Sequence, residues 1–123
     1  MTKQNDAPMT DTEREERLLS TAGLAARAGK TVPGTGLVCE QLRRGQILLV
    51  LEASDTSENT HKRLSDKTAF YGVPLVRLSV GGERLALAFG KRDGKLAAVG
   101  ITDRGIIRAM KKYLPSSVED AAN

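Results

Sequence analysis

A continuous apolar run at residues 47–51 restricts the fold more than any other part of the sequence. It reads Ile-Leu-Leu-Val-Leu, without the polar alternation of a strand that is half exposed to water. It is also far shorter than the roughly 20 residues that span a bilayer. A strand without alternation is covered on both faces, so the run predicts a central sheet between two layers of helices.

Helices and strands are expected to alternate along the rest of the chain. Helical spacing of apolar residues begins at Glu13, resumes at 35–44, at 57–71 and at 102–114, and a short helix is expected to end at Gly90. Residues 31–33, 73–78 and 96–101 are expected to be extended. This order predicts an α/β fold, a three-layer α/β/α sandwich with a mixed sheet of about four strands.

Polar residues at the predicted helix starts suggest where each helix is capped. Thr35, the cluster 54–57, Ser79 and Thr102 are the expected N-terminal caps. In the short helix after Thr35, the side chains expected to face the core are Leu37, Val38 and Leu42.

The 123 residues are expected to form one domain, residues 13–114, between two disordered tails, 1–12 and 115–123. Net charge separates the tails from the domain. Residues 17–114 carry 17 lysines and arginines against 8 acidic residues, a net charge of +9, whereas both flanking segments are acidic. A small domain with this surplus suits a polyanionic partner, and nucleic acid is the usual one.

The single cysteine, Cys39, excludes an internal disulfide and fits a reducing compartment. The polar N-terminus lacks the apolar core of a signal peptide. We therefore expect a cytoplasmic protein without membrane partners.

Catalytic chemistry finds little support in the sequence. The single histidine, His61, falls on a charged helix face and is expected to be a solvated surface residue, and Cys39 has no histidine nearby. The glycine pairs Gly34/Gly36 and Gly81/Gly82 lack the further residues of a nucleotide-binding loop. No enzyme activity, metal or cofactor is expected.

A binding surface for folded RNA remains. Basic residues gather near the ends of the predicted elements, at 27 and 30, at 43 and 44, and at 91, 92 and 95. Two tyrosines, two phenylalanines and no tryptophan are too few for a base-stacking platform, which disfavours single-strand binding. Recognition by shape and backbone contacts needs no such platform.

An ordered set of short segments runs along the chain: ARAGK at 26–30, Gly34, Arg44-Gly45, ILLVLEASD at 47–55, FYGVPLV at 70–76 and VGITDRG at 99–105. Together they resemble the L7Ae/L30e ribosomal protein family, closest to its bacterial YlxQ-type branch. The resemblance covers roughly residues 14–114.

The resemblance implies a three-layer α/β/α fold and RNA binding, in many members to kink-turns. The RNA-contacting parts of the family are a glycine turn with the short helix after it, and the loop before the last strand. The family pattern at the turn is Gly, any residue, Asn, Glu, two residues, then a basic residue. Here Gly34 and Thr35 fit, but Gly36, Leu37 and Glu40 stand where Asn, Glu and Lys are expected. Kink-turn specificity is therefore expected to be weakened or absent.

These observations predict a non-catalytic protein bound to structured ribosomal or translation-related RNA, with DNA not expected. The turn 34–37 and Glu40 would lie at the RNA, and phosphates would be neutralised by Lys30, Arg43, Lys91, Arg92 and Lys95. The alternative is a protein-interaction module that keeps the fold without RNA, with Leu37 and Val38 exposed as its contact patch. An enzyme built on an exposed, reactive Cys39 is the third reading.

Overall fold

The computed structural model of the chain describes residues 8–115. A short 3₁₀ helix, Lys111–Tyr113, follows the last α-helix. The elements in chain order are α1 (Asp11–Arg27), β1 (Thr31–Pro33), α2 (Thr35–Arg43), β2 (Leu49–Glu52), α3 (Glu58–Tyr71), β3 (Leu75–Arg77), α4 (Gly82–Ala88), β4 (Ala98–Ile101) and α5 (Arg104–Met110).

The four strands form one mixed sheet in the order β1-β4-β2-β3. β2 and β3 are parallel, whereas β4 is antiparallel to both of its neighbours, β1 and β2. A parallel pair needs a crossover connection, and α3 supplies it between β2 and β3. The predicted α/β class with about four strands in a mixed sheet is confirmed.

The apolar run builds the two cores on either side of the sheet. Every residue of β2 is buried. Leu49 and Leu51 join a cluster that includes residues of α1, α4 and α5, whereas Val50 joins a second cluster with residues of α2 and α3. Successive side chains of a strand point to opposite faces, so an unbroken apolar run fits a sheet covered twice. The three-layer arrangement follows.

The strand register defines two ends of the sheet, and the candidate binding residues described below are located relative to these ends. At one end, Glu52 of β2 pairs with both Ala98 and Arg77, and the end of β1 leads into Gly34. We call this the turn end. At the other end, the far end, Ile101 pairs with both Thr31 and Leu49.

The first helix begins earlier than expected. α1 starts at Asp11, because the Thr10 side chain accepts a hydrogen bond from the Glu13 backbone and the Glu13 side chain accepts one from the Thr10 backbone. Residues 11 and 12 therefore belong to the helix and not to a disordered tail. Of the predicted tails, residues 1–7 and 116–123 lie outside the described part of the chain.

Three of the predicted caps are wrong, and one is confirmed. Ser57 caps α3 by accepting from the Thr60 backbone. Thr35 is already helical, so Gly34 occupies the cap position of α2. The other two differences are that Gly81 rather than Ser79 precedes α4, and that Asp103 rather than Thr102 caps α5. The cap of α2 thus lies one residue earlier than predicted, whereas the caps of α4 and α5 lie two residues and one residue later.

Candidate nucleic-acid interface

The glycine turn at the start of α2 is held against the sheet by its backbone. Gly34 has φ 100° and ψ 138°, a conformation that side-chain-bearing residues rarely adopt. Its N–H donates to the Ala98 carbonyl at 2.8 Å, which ties the turn to the start of β4. Because Gly34 has no side chain, no cap hydrogen bond closes the helix start. The first-turn N–H groups of α2 thus remain available to an anion.

The orientation of α2 corrects one prediction at this turn. Val38, Cys39 and Leu42 are buried, but Leu37 is 53% exposed. A helix turns by about 100° per residue, so a face centred on 38, 39 and 42 leaves position 37 on the solvent side. The prediction that Leu37 faces the core is therefore wrong: its side chain faces solvent. None of the other large exposed apolar residues of 8–115 belongs to α2.

The loop between α4 and β4 brings three cations to the turn end. Lys91, Arg92 and Lys95 are exposed. Among residues 8–115 their side chains have no ion-pair or hydrogen-bond partner. The loop's two ends are fixed, since the Lys91 backbone donates to Ala86 and the Leu96 backbone donates to Gly82. The cations therefore flank the strand that holds the glycine turn.

Lys30 and Arg43 do not belong to this interface. Lys30 precedes β1 at the far end, where its carbonyl accepts from Thr102 and its Nζ lies 3.7 Å from an Asp103 oxygen. Arg43 is at the C-terminal end of α2, which leads back to the far end before β2 begins. The structure places both residues away from the turn, because their elements run to the far end, and their contact with RNA stays a prediction.

Glu40 is tied to the arginines that follow it. Its Oε2 accepts from Arg43 Nη2 at 2.9 Å and from Arg44 Nε at 3.0 Å. The Arg44 hydrogen bond, and then the charge of Arg43, lower the pKa of Glu40 below its usual value of 4.5. The first turn of α2 contains no acidic residue, so Glu40 lies too far along the helix to complement its N-terminus.

A buried carboxylate lies behind the turn end. Glu52 is fully buried, and both of its carboxylate oxygens lie 2.9 Å from His61 Nδ1. The Thr56 hydroxyl donates to the same carboxylate at 2.7 Å, and Arg77 Nε lies 4.0 Å away. These contacts bind the loop after β2 to α3 and β3. His61 is thus a structural partner of Glu52, and its predicted role as a solvated surface residue is wrong.

One feature of the sequence does point to this cluster, namely the charged residue Glu52 at the end of the apolar run. A charged residue directly after a buried strand needs a partner, and His61 lies one helical turn into α3, on the side that faces the end of β2. Only the three-dimensional packing joins the two.

The described residues show none of the other site chemistries considered. Cys39 is buried in the core between α2 and the sheet, unlike the exposed thiol that a catalytic reading requires. Within residues 8–115 no three metal-ligating side chains gather. No helix in that range is long and apolar enough to cross a membrane.

Two bacterial proteins named RNA-binding protein YlxQ are similar to this chain. The chain is 32% identical over 99 residues to the one from Enterococcus faecium, and the matched stretch covers 80% of this chain and 92% of the relative. It is 40% identical over 94 residues to the one from Bacillus subtilis (strain 168), which covers 75% and 89%.

Solved structures share the fold. A protein with unknown function from Bacillus halodurans C superposes with a TM-score of 0.71 at 32% identity, over 78% of this chain and 94% of that one. The Giardia lamblia 15.5kD RNA binding protein superposes with a TM-score of 0.72 over 98% of this chain and 99% of that one. At 19% identity, the second likeness concerns the fold alone.

The family assignment rests on most of the domain. Residues 16–110 match the ribosomal protein L7Ae/L30e/S12e/Gadd45 family, a range that runs from α1 to the end of α5. The match confirms the resemblance carried by the short sequence segments, including its bacterial YlxQ-type branch. This chain belongs to the L7Ae/L30e/S12e/Gadd45 family of ribosomal proteins.

Proposed function

We propose that this protein is a non-catalytic RNA-binding protein that contacts structured ribosomal or translation-related RNA through its turn end. One observation carries the proposal. The uncapped glycine turn is hydrogen-bonded to the strand that follows the loop with Lys91, Arg92 and Lys95, so backbone donors and three cations that no side chain of residues 8–115 pairs share one end of the sheet. The two relatives named as RNA-binding proteins support the same role.

The chemistry of the turn end suits a phosphate backbone. Exposed lysines and arginines neutralise phosphates. The N–H groups at a helix start donate hydrogen bonds to an anion, and no side chain is needed for this. Thr35 and Gly36 leave the backbone accessible, since an added side-chain carbon at Gly36 would meet no atom within 4 Å. RNA can therefore approach the turn closely.

Kink-turn selectivity is proposed to be weak or absent. Asn and Glu at the family positions can hydrogen-bond the base edges of sheared G·A pairs, whereas Gly36 and Leu37 have no polar side-chain atom. Phosphate contacts position a protein but carry no sequence information. We expect similar affinity for a kink-turn RNA and for a straight helix of equal length in a mobility-shift assay, and a strong preference for the kink-turn would contradict this.

The salt dependence of binding tests the main proposal. Three phosphate contacts at the turn end give a slope of about −2 to −3 in log affinity against log salt. Lys91→Gln/Lys95→Gln should make that slope about 2 units shallower. Arg17→Gln/Arg27→Gln removes the same charge from α1 and should leave the slope unchanged. A wild-type slope near zero against structured RNA would overturn the proposal.

The exposure of Leu37 favours a protein partner as the second candidate. More than half of this apolar side chain is in water at the turn, 53% by area. Among residues 8–115, it has no large exposed apolar neighbour on α2 itself. Leu37→Ser should lower RNA affinity much less than Lys91→Gln/Lys95→Gln if RNA is the partner, because Leu37 carries no charge. If the wild-type protein binds no RNA, loss of a co-purifying protein in Leu37→Ser would establish the alternative.

A further inference from the structure

We infer that the far end of the sheet is a second RNA-binding surface, so that one chain holds two RNA segments at once. This inference rests on the proposed function and extends it. A groove of about 540 Å³ opens there between the C-terminal halves of α2 and α3, the start of β2, and α5. We call it the far groove. Its lining residues include Arg43, Leu48, Tyr71, Pro74, Arg104 and Arg108.

Among residues 8–115, the charged side chains that line the far groove all have the same sign. They are basic, and no acidic residue of that range lines the groove: the cations are Arg43, Arg104, Arg108 and Lys111. Within residues 8–115, the side chains of Arg104 and Arg108 have no ion-pair or hydrogen-bond partner. Arg43 is paired with Glu40, which is not among the lining residues. Unpaired arginines that line one groove suit the phosphates of a polyanion.

The apolar part of the groove decides in favour of a nucleic acid over a bare anion. Leu48, Val73, Pro74 and Ile107 line the space beside the cations, together with the partly buried ring of Tyr71. Such a surface accepts ribose and base edges while the arginines hold the backbone. An RNA segment therefore matches both halves of the lining.

The position of the groove separates it from the turn end. Arg43, Lys30 and the start of β2 lie at the far end, where Ile101 pairs with Leu49, whereas Gly34 lies beside Ala98. The four residues of β4 between these points span roughly 10–14 Å, and the loops add to that distance. Arg43 thus has a place in RNA binding, but at a different surface from the one that its sequence neighbourhood suggested.

A two-RNA capture experiment tests the inference. A biotinylated 40-nucleotide RNA hairpin with an internal loop is immobilised, the full-length protein is added, and a fluorescent hairpin of unrelated sequence follows. Wild-type protein should retain the second RNA. Arg104→Gln/Arg108→Gln should bind the immobilised hairpin with an unchanged salt slope but lose most of the second, by about tenfold, and the salt slope for capture of the second hairpin should be about 2 units shallower. Both side chains are exposed, so the folded structure should persist, which thermal melting checks.

The matched variant removes charge at the other surface. Lys91→Gln/Lys95→Gln should also lose the second RNA, while ultraviolet crosslinking should then place the remaining RNA on peptides containing 104–111. Wild-type protein that binds one hairpin but never two would overturn the inference and leave the proposed function intact. No binding of either hairpin would overturn both. Retention of two RNAs by both variants would show that two protein copies hold them, which would also overturn the inference.

Discussion

The two ends of the sheet carry similar charge but are built in opposite ways. At the turn end, the cations come from one short loop, 91–95, beside a backbone turn whose shape is set by Gly34. At the far end, the cations come from α2 and α5, which are far apart in sequence, and surround an apolar groove. The turn end thus joins one backbone turn to one loop through the hydrogen bond from Gly34 to Ala98, whereas the far groove forms where side chains of separate helices pack.

The support behind each end differs as well. The turn end rests on the buried Glu52 and its contacts with His61 and Thr56, which fix the loop after β2. The far groove is lined by apolar residues and by arginines, of which Arg104 and Arg108 have no ion-pair or hydrogen-bond partner within residues 8–115. A fixed backbone holds its phosphate contacts in one arrangement, whereas unrestrained arginines can follow phosphates in many arrangements. Substitutions at the turn end should therefore have the larger effects.

The largest effect is expected from restoring the family pattern at the turn. Gly36→Asn/Leu37→Glu/Glu40→Lys returns the three differing positions, and the exposure of 36 and 37 leaves room for the new side chains. Two new hydrogen-bonding side chains at about 1.5 kcal/mol each give about 100-fold selectivity for a kink-turn over a straight helix. Competition mobility shifts with the two RNAs measure it.

A matched control keeps the charge change and omits base reading. Glu40→Lys alone should strengthen binding to both RNAs equally, because a lysine gains phosphate contacts but reads no base. If the triple variant also failed to distinguish the two RNAs, the turn would not lie at the bases. The turn end and the far end would then both bind RNA through phosphates alone.

The second effect concerns the backbone of the turn itself. Gly34→Ala should lower the free energy of unfolding by about 1–3 kcal/mol, since a φ of 100° strains any residue with a side chain. The cost is conformational and not steric, because an added Cβ would meet no atom within 4 Å. Gly36→Ala is the control two residues on: its φ is not positive, so stability should stay the same or rise by up to about 1 kcal/mol. Urea denaturation compares the two, and equal losses would show that Gly34 relaxes into an ordinary conformation.

Which features could be predicted follows from whether their cause is local. The buried strand within the run 47–51 and the cap Ser57 could be predicted, since burial pattern and capping depend on residues close in sequence. The layered fold follows from the buried strand. Leu37 was misplaced by one helical position, which the true start of α2 decides. Lys30 and Arg43 looked like neighbours of the turn because they are near it in sequence, yet a strand and a helix carry them to the other end.

A third effect probes the buried support of the turn end. His61→Ala removes the Nδ1 contact at 2.9 Å from the buried Glu52 carboxylate. Because Thr56 still donates to that carboxylate and Arg77 stays near, the loss should be about 1–2 kcal/mol of unfolding free energy and not the full cost of an orphaned charge. Lys62→Ala, next in the same helix but exposed, should change stability little. If both variants unfold at the same urea concentration, the cluster does not support the turn end.

The smallest effect lies at the far end and is electrostatic. The hydrogen bond from Arg44, with the charge of Arg43, lowers the pKa of Glu40 below 4.5, so the pairing stabilises the fold above the usual carboxyl range and is lost as pH falls through the lowered pKa. Arg44→Gln should move the pKa of Glu40 back toward 4.5, as followed by carboxyl NMR titration, whereas Arg108→Gln should leave it in place. An unchanged titration in Arg44→Gln would mean that the hydrogen bond from Arg44 to Glu40 does not persist in solution. Glu40 would then keep Arg43 as its partner, so Arg43 would stay restrained beside the far groove, unlike Arg104.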